Sequence, residues 1–311
     1  MTDGKAGDEN PAIGVAEALG AAFETRHVAP RAPWHLAMPW GPIDPAEAPD
    51  KPASPIAPPY PELVLASGRR AVAYARVIRR EAGDGPVLVF LKDPRTAHDL
   101  FDLIWVPSHD RRRGANIIDT LTAPHRLGPE RLAAARADLD PAIAALPTPR
   151  LAVVLGGDVK GHPFGKDAAS RLADHLAALA PAGGSVLITP SRRTPDHLLQ
   201  AVDRATAAMP RILWDGSGPN PYIGFLAAAD VIVVTGDSHN LVSETLATGA
   251  PVHLFCPDSL PIKLKTFADA LFSQGLVHDF QSGLETGRHQ PLDSTLTIAH
   301  AIRTIVDRKR G

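Results

Sequence analysis

The sequence predicts an α/β chain of two doubly wound, parallel-sheet domains in tandem. Three observations predict it. Short apolar runs rich in Val, Ile and Leu alternate with Ala-rich helical stretches, and they do so twice. Such runs are strands of a parallel sheet with helices on both faces. The length of 311 residues suits two domains, each able to bury its own core. Finally, Leu146-Pro147-Thr148-Pro149 breaks the pattern near the middle, where two prolines stop a helix and stiffen a linker. The expected domains are residues 1–147 and 148–290, followed by a closing helix within 291–311.

In the first half, Glu62–Ala66, Val87–Leu91 and Leu103–Pro107 read as strands, and Ala71–Glu81 and Pro129–Ala145 as helices. In the second half the strands are Leu151–Leu155, Ser185–Thr189, Arg211–Trp214, Val231–Thr235 and Val252–Phe255. The helices there are Lys166–Leu179, Pro195–Ala208, Ser238–Thr248 and Lys265–Gln274. Asp293–Arg308 reads as the last helix. Ala29 to Pro61 is dense in proline, with Trp34 and Trp40 inside it, and reads as a long irregular excursion packed by its aromatics. A doubly wound domain opens with a strand, yet here the loop-like Thr2-Asp3-Gly4-Lys5-Ala6-Gly7 comes at once. The pattern therefore expects a short apolar strand encoded upstream of Met1.

Composition excludes several classes. A hydrophobic share of 44% is too high for a disordered chain. A formal charge of −2 argues against a dedicated nucleic-acid binder. A single cysteine excludes a disulfide framework or a CxxC metal site and fits a reducing, cytoplasmic setting. The 13 histidines show neither HxxxH nor HExxH spacing, so no metal is expected. No apolar run approaches the roughly 18 residues of a membrane span. There is no GxSxG elbow, and Cys256 reads as packing rather than nucleophile.

Open α/β sheets bind ligands at the carboxyl ends of their strands, so the loops there are the candidates. Gly156-Gly157-Asp158-Val159-Lys160 offers a backbone nest for an anion, with Gly157 allowing close approach and Lys160 adding charge. It is also an ordinary Gly-rich turn. Ser191-Arg192-Arg193-Thr194-Pro195 opens a helix, with Thr194 as N-cap and Pro195 as first helical residue. That aims Arg192, Arg193 and a helix N-terminus at a diphosphate. Asp215 to Tyr222 carries Asn220 and Tyr222, suited to a base or sugar, or to a surface connection. In Thr235-Gly236-Asp237-Ser238-His239-Asn240-Leu241-Val242-Ser243-Glu244, Ser238 caps a helix. Asn240, Ser243 and Glu244 then share one face. A carboxylate at Glu244 can accept two bonds from a ribose diol.

In the first half, Thr2 to Asn10 holds Asp3, Lys5 and Asp8 before a helix starting at Asn10-Pro11. One of these carboxylates reads as a general base facing an interdomain cleft, or as part of a solvated charged terminus. Arg69 and Lys92 follow strands and suit an anionic partner. Arg111-Arg112-Arg113 is a charge run, read either as a solvated face or as a contact for a phosphorylated acceptor or anionic lipid.

Taken in order, these loops resemble the mitochondrial fission ELM ("elongated mitochondria") family. The matching pieces are Asp3-Gly4-Lys5-Ala6-Gly7 with Glu9-Asn10, Ser67-Gly68-Arg69-Arg70, Gly156-Gly157-Asp158, Thr189 to Pro195, Asp215 to Tyr222 and Val234 to Val252. They span nearly the whole chain. The resemblance implies a GT-B-like pair of Rossmann-like domains facing a cleft, with an acceptor site in the first and a nucleotide-sugar donor site in the second. It implies that Glu244 holds the donor ribose, and that Ser238, Arg192 and Arg193 hold the diphosphate. Three departures stand out. Asp8 stands where the family has His, Pro11 where it has Gln, and the opening strand is absent. The change to Asp8 either exchanges one acid–base group for another or marks loss of activity.

The function expected is a metal-independent glycosyltransferase using a nucleotide-diphosphate sugar in envelope glycoconjugate synthesis. Its catalytic groups are Asp3 and Asp8, and Gly157, Lys160, Ser191, Asn220, Tyr222, Asp237, Asn240 and Ser243 join the donor site. Lys5, Arg69 and Lys92 lie on the acceptor side. The acceptor is a lipid-linked or envelope glycan, with peripheral contact at the inner membrane face and no cofactor. Two rivals are a non-catalytic adaptor of the same fold at a membrane surface, and a nucleotide-sugar epimerase or hydrolase.

Overall fold

The computed structural model describes residues 1–179 and 183–311. The chain forms two compact units, Met1–Arg126 with Ser294–Gly311, and Leu127–Asp293.

Unit 1 contains α1 (Ala6–Leu19), α2 (Trp34–Ala37), β1 (Leu63–Ser67), α3 (Ala71–Ala82), β2 (Val87–Leu91), β3 (Leu103–Pro107) and β4 (Ile117–Thr120). The four strands are parallel, in the order β1-β2-β3-β4. Their side chains alternate between two layers, as the pleat demands. Leu88, Phe90, Ile104 and Val106 pack with Val72, Tyr74 and Ile78 of α3. Val87, Val89, Leu91 and Trp105 pack with Ala12 and Val15 of α1 and with Ile298 and Ile302 of the C-terminal helix.

The sheet does not lack an opening strand. The Met1 nitrogen donates to Leu65 O at 2.7 Å, and Ser67 N donates to Met1 O at 3.1 Å. On its other side, Thr2 N donates to Arg26 O at 3.0 Å and Val28 N to Thr2 O at 2.9 Å, forming a parallel bridge to His27. Met1 and Thr2 thus act as a two-residue strand between residues 26–28 and β1. In chain order the extended sheet reads 2-1-3-4-5-6, the flavodoxin-like arrangement, with its switch point between Thr2 and β1.

Unit 2 contains α4 (Pro129–Ala137), α5 (Pro141–Ala144), β5 (Arg150–Leu155), α6 (Lys166–Ala178), β6 (Ser185–Pro190), α7 (Asp196–Thr206) and β7 (Arg211–Leu213). It continues with α8 (Tyr222–Ala228), β8 (Val231–Thr235), α9 (His239–Leu246), β9 (Val252–Phe255), α10 (Ile262–Ser273) and β10 (His278–Asp279). All strands are parallel, in the order β10-β9-β8-β5-β6-β7. Counted from β5 this is 3-2-1-4-5-6, the Rossmann order, with its switch point between β5 and β8. Leu151, Val153, Val186, Ile188, Val231 and Val233 pack beneath α6 and α7.

Several expectations change. Pro129–Ala145 is two helices, because Asp140 caps a new start: its Oδ1 accepts from Ala142 N at 2.7 Å, and Pro141 takes the first helical position. The division between units falls at Leu127 instead of at the 146–149 prolines. Arg136 Nε of α4 donates to Ala227 O at 3.0 Å, and Ile143 of α5 clusters with Phe225 and Ala228 of α8. The last helix, α11 (Ser294–Arg310), is no separate element but belongs to unit 1, where Arg303 Nη2 donates to Ala18 O at 2.6 Å. Of the aromatics in the 29–61 excursion, Trp40 is 64% exposed and Trp34 partly so, while Tyr60 packs against the core. Met38 and Ile56 anchor the excursion in the core, and buried Asp44 accepts from Arg31 Nε at 2.7 Å and Nη2 at 2.8 Å. Among the described residues no helix is long and apolar enough to cross a membrane.

Candidate functional site

At the unit 2 switch point, the loops after β5, β6 and β8 lock together. Gly156 N donates to Thr235 Oγ1 and Gly157 N to Asp237 Oδ2, both at 2.7 Å. Arg193 Nη2 donates to the same Asp237 Oδ2 at 3.1 Å, and its Nη1 to Asp158 O at 2.8 Å. The anion expected in the glycine nest is therefore the protein's own Asp237. Burial pushes that carboxyl up, and Thr235, Gly157 N and Arg193 partly offset this. Its Oδ1 is buried with no hydrogen-bond partner among the described residues. Arg193 braces the loop, which leaves Arg192 and Lys160 as exposed cations without an ion pair among the described residues.

Ser191 and Thr194 serve the loop as well. Ser191 Oγ donates to Gly156 O at 2.8 Å. Thr194 does not cap α7, which starts at Asp196 after Pro195. Its Oγ1 accepts from Ser191 N at 2.8 Å and reaches Leu155 O at 3.1 Å, tying β6 to β5.

The loop after β7 and helix α9 meet at a second point. Tyr222 Oη donates to Glu244 Oε2 at 2.6 Å. Burial pushes the Glu244 carboxyl up to about 7, with the Tyr222 bond opposing. Burial and Glu244 together push the Tyr222 hydroxyl up, so it remains a donor. Asn220 is exposed and its Oδ1 accepts from Tyr222 N at 3.0 Å, setting the turn into α8. Ser238 caps α9, accepting from Leu241 N at 3.4 Å. Asn240 and Glu244 are partly exposed, but Ser243 does not share their open face. It is fully buried and donates back to His239 O at 2.7 Å, the usual fate of a mid-helix serine.

The raised Glu244 has a consequence for stability. A carboxyl that titrates near 7 when folded and near 4.5 when unfolded favours the folded state fully below pH 4.5. That contribution is lost as pH rises to about 7. Glu244→Gln should flatten this part of the stability–pH curve, as measured by urea unfolding at pH 5, 6, 7 and 8.

At the unit 1 switch point, Asp3 and Asp8 converge on Gly68. A Cβ there would lie 3.2 Å from Asp3 Oδ1 and 3.5 Å from Asp8 Oδ2. Lys5 Nζ pairs with Asp3 Oδ2 at 2.7 Å, and Lys92 Nζ with Asp8 Oδ1 at 2.6 Å. Helix α1 begins at Ala6, not at Asn10-Pro11, so Asp8 lies in its first turn. Pro11 then sits inside the helix and has no N–H to give the carbonyl four residues back. That carbonyl, Gly7 O, accepts from Lys92 Nζ at 2.8 Å instead. The two carboxylates differ in access. The Asp3 side chain is fully buried, whereas Asp8 is 20% exposed, with Oδ1 on its lysine and Oδ2 toward Gly68. Asp8 is the more open of the two, and Asp3 holds Lys5 through Oδ2 while its Oδ1 faces Gly68. Arg69 is exposed in the loop after β1.

Three features were beyond the sequence reading. Thr235 and Thr194 are loop tethers, and only the register of β5 against its neighbours reveals them. The β2 loop holds Lys92, Arg95 and Ala97 in left-handed conformations, at φ 87°, 66° and 53°. The spacing of Gly7 and Pro11 was a usable signal for a freed carbonyl. Cys256 carries a thiol pushed up to about 11, mainly by burial, so it is a poor nucleophile.

The family model Mitochondrial fission ELM1 matches residues 6–306. Mitochondrial fission protein ELM1 of Arabidopsis thaliana is 30% identical, over 78% of this chain and 63% of that protein. The chain thus spans less than two-thirds of that relative's length. An uncharacterized protein of Rickettsia prowazekii (strain Madrid E) is 25% identical, over 78% of this chain and 79% of its own. Among solved structures, MurG of Acinetobacter baumannii is similar with a TM-score of 0.49 at 13% identity, covering 99% of this chain and 91% of that one. UDP-GlcNAc 2-epimerase of Neisseria meningitidis is similar with a TM-score of 0.46 at 11% identity, covering 79% and 76%. With the family model spanning nearly its whole length, the chain belongs to the mitochondrial fission ELM1 family.

Proposed function

We propose that the protein transfers a sugar from a nucleotide-diphosphate donor held by unit 2 to a hydroxyl acceptor held by unit 1. One observation carries this reading. Glu244, Tyr222, Arg192 and Lys160 all stand at the carboxyl end of a sheet in Rossmann order, where such sheets take their ligands. Glu244 Oε2 already accepts a hydroxyl, and a ribose diol offers the same kind of donor. Arg192 and Lys160 are the cations left over for a diphosphate once Arg193 is committed to Asp237.

In the step proposed, the acceptor oxygen attacks the anomeric carbon while the bond from that carbon to the diphosphate oxygen breaks. Asp8 takes the acceptor proton. Arg192, Lys160 and the dipole of α9 stabilise the charge that grows on the leaving diphosphate. Asp8→Asn should then lower kcat by about 100-fold with donor KM unchanged, because a general base contributes at least that much. Release of nucleoside diphosphate in the presence of acceptor measures it. An unchanged kcat excludes Asp8 as the base. Tight nucleotide-sugar binding with no turnover would instead favour the adaptor reading.

A further inference from the structure

We propose that the acceptor carries a phosphate beside the hydroxyl it presents. The hydroxyl meets Asp8 Oδ2, and the phosphate meets Arg69, Arg70 and the N-terminus of α3. This names the acceptor class of the transferase proposed above and rests on that reading.

The charge balance at the unit 1 switch point points to it. Each carboxylate is neutralised by its own lysine, Asp3 by Lys5 and Asp8 by Lys92. Arg69 and Arg70 have no carboxylate partner among the described residues, so their charge is uncompensated. They immediately precede α3, a 12-residue helix whose first turn has no side-chain cap. The Ala71 N–H is held by Gly68 O at 3.1 Å, so it is the helix dipole and two guanidinium forks that favour a doubly charged oxyanion.

A second feature points to a ligand that also bears a hydroxyl. Asp3 is fully buried, and its Oδ1 has no hydrogen-bond donor among the described residues. It is aimed at Gly68, the residue before Arg69, as is Asp8 Oδ2. Two acceptor oxygens therefore converge where the phosphate-binding turn starts. A bare phosphate satisfies only the arginines, and a neutral sugar satisfies only the carboxylates. A ligand with a hydroxyl adjacent to a phosphate ester satisfies both. Gly68, at φ 89°, has no side chain to stand against these two carboxylates.

Such a group occurs in free sugar phosphates and in lipid headgroups. Titration calorimetry on the full chain with inorganic phosphate, glycerol 1-phosphate and glycerol tests the shared chemistry. Glycerol 1-phosphate should bind about fivefold tighter than inorganic phosphate, reflecting one added charge-assisted hydrogen bond. Glycerol should give no heat. The double variant Arg69→Ala/Arg70→Ala should weaken both phosphates by about tenfold or more. Asp8→Asn should remove the advantage of glycerol 1-phosphate and leave inorganic phosphate unchanged. The proposal is overturned if neither phosphate binds, if binding persists in the double variant, or if glycerol binds as well as its phosphate. Sedimentation with phosphatidylglycerol against phosphatidylcholine vesicles separates the sources. Pelleting with phosphatidylglycerol alone, lost in the double variant, assigns a lipid headgroup; no pelleting assigns a free phosphate ester. Nucleotide binding read through Glu244 is independent of Arg69. A protein that binds nucleotide sugar but not glycerol 1-phosphate therefore keeps the transferase reading and loses only this acceptor class.

Discussion

Gly157→Ala is expected to destabilise unit 2 by about 4 kcal/mol, summing left-handed strain with overpacking against backbone. Gly157 has φ 152°, which an alanine adopts only with strain. An added Cβ would stand 1.9 Å from Arg193 O. That carbonyl cannot yield easily, because Asp158 N donates to it at 2.9 Å and the Arg193 side chain is pinned to Asp237. Gly161→Ala is the matched control. It too has a left-handed φ, 77°, but faces open space, so only the backbone strain of about 1 kcal/mol remains. Chemical denaturation followed on the unit 2 transition separates the two. Similar, small losses in both variants would show that the β5 and β6 loops are not locked as described.

The second large effect concerns ligand binding. Glu244→Ala should weaken nucleotide-sugar affinity on the order of 10³-fold, the cost of two charge-assisted hydrogen bonds to a ribose diol. Because the carboxyl titrates near 7, wild-type affinity should also fall roughly tenfold between pH 8 and pH 6, as the ionised form gives way. The diphosphate of a nucleotide sugar does not titrate in that interval, so the slope belongs to the protein. Glu244→Gln should bind weakly and without this slope. A wild-type affinity flat across the range would place the ribose elsewhere.

Much of the fold was legible because buried parallel strands are short apolar runs that little else resembles. Val87–Leu91, Leu103–Pro107, Val231–Thr235 and Val252–Phe255 appear with the bounds read from sequence. Ile117–Thr120 escaped because an edge strand is half polar and only partly buried. The 129–145 helix was read through Asp140-Pro141, although that pair is a start signal, because an Ala-rich context masks a one-turn break. The loops that carry the site were legible in position, since chemistry gathers at strand ends. The roles within them were not. Arg192 and Arg193 are adjacent in sequence and alike in type, yet Arg193 braces Asp237 while Arg192 has no ion pair among the described residues. Asp3 and Asp8 look interchangeable until burial separates them. Ser243 lies on the buried side of α9 instead of the open face of Asn240 and Glu244, and its hydroxyl bonds the carbonyl of the preceding turn. Such allocations depend on which loops become neighbours across the sheet, and strand order is not written in any local pattern.

A nucleotide-sugar site built on Glu244 is tested most directly by a thermal-shift panel of nucleoside diphosphates and nucleotide sugars. A ligand present at a hundredfold its Kd stabilises by about 2.7 kcal/mol, enough to raise Tm visibly. At least one member of the panel should do so with wild-type protein and fail with Glu244→Ala. If none stabilises the protein, or if the shift survives Glu244→Ala, unit 2 does not hold a nucleotide sugar in this way.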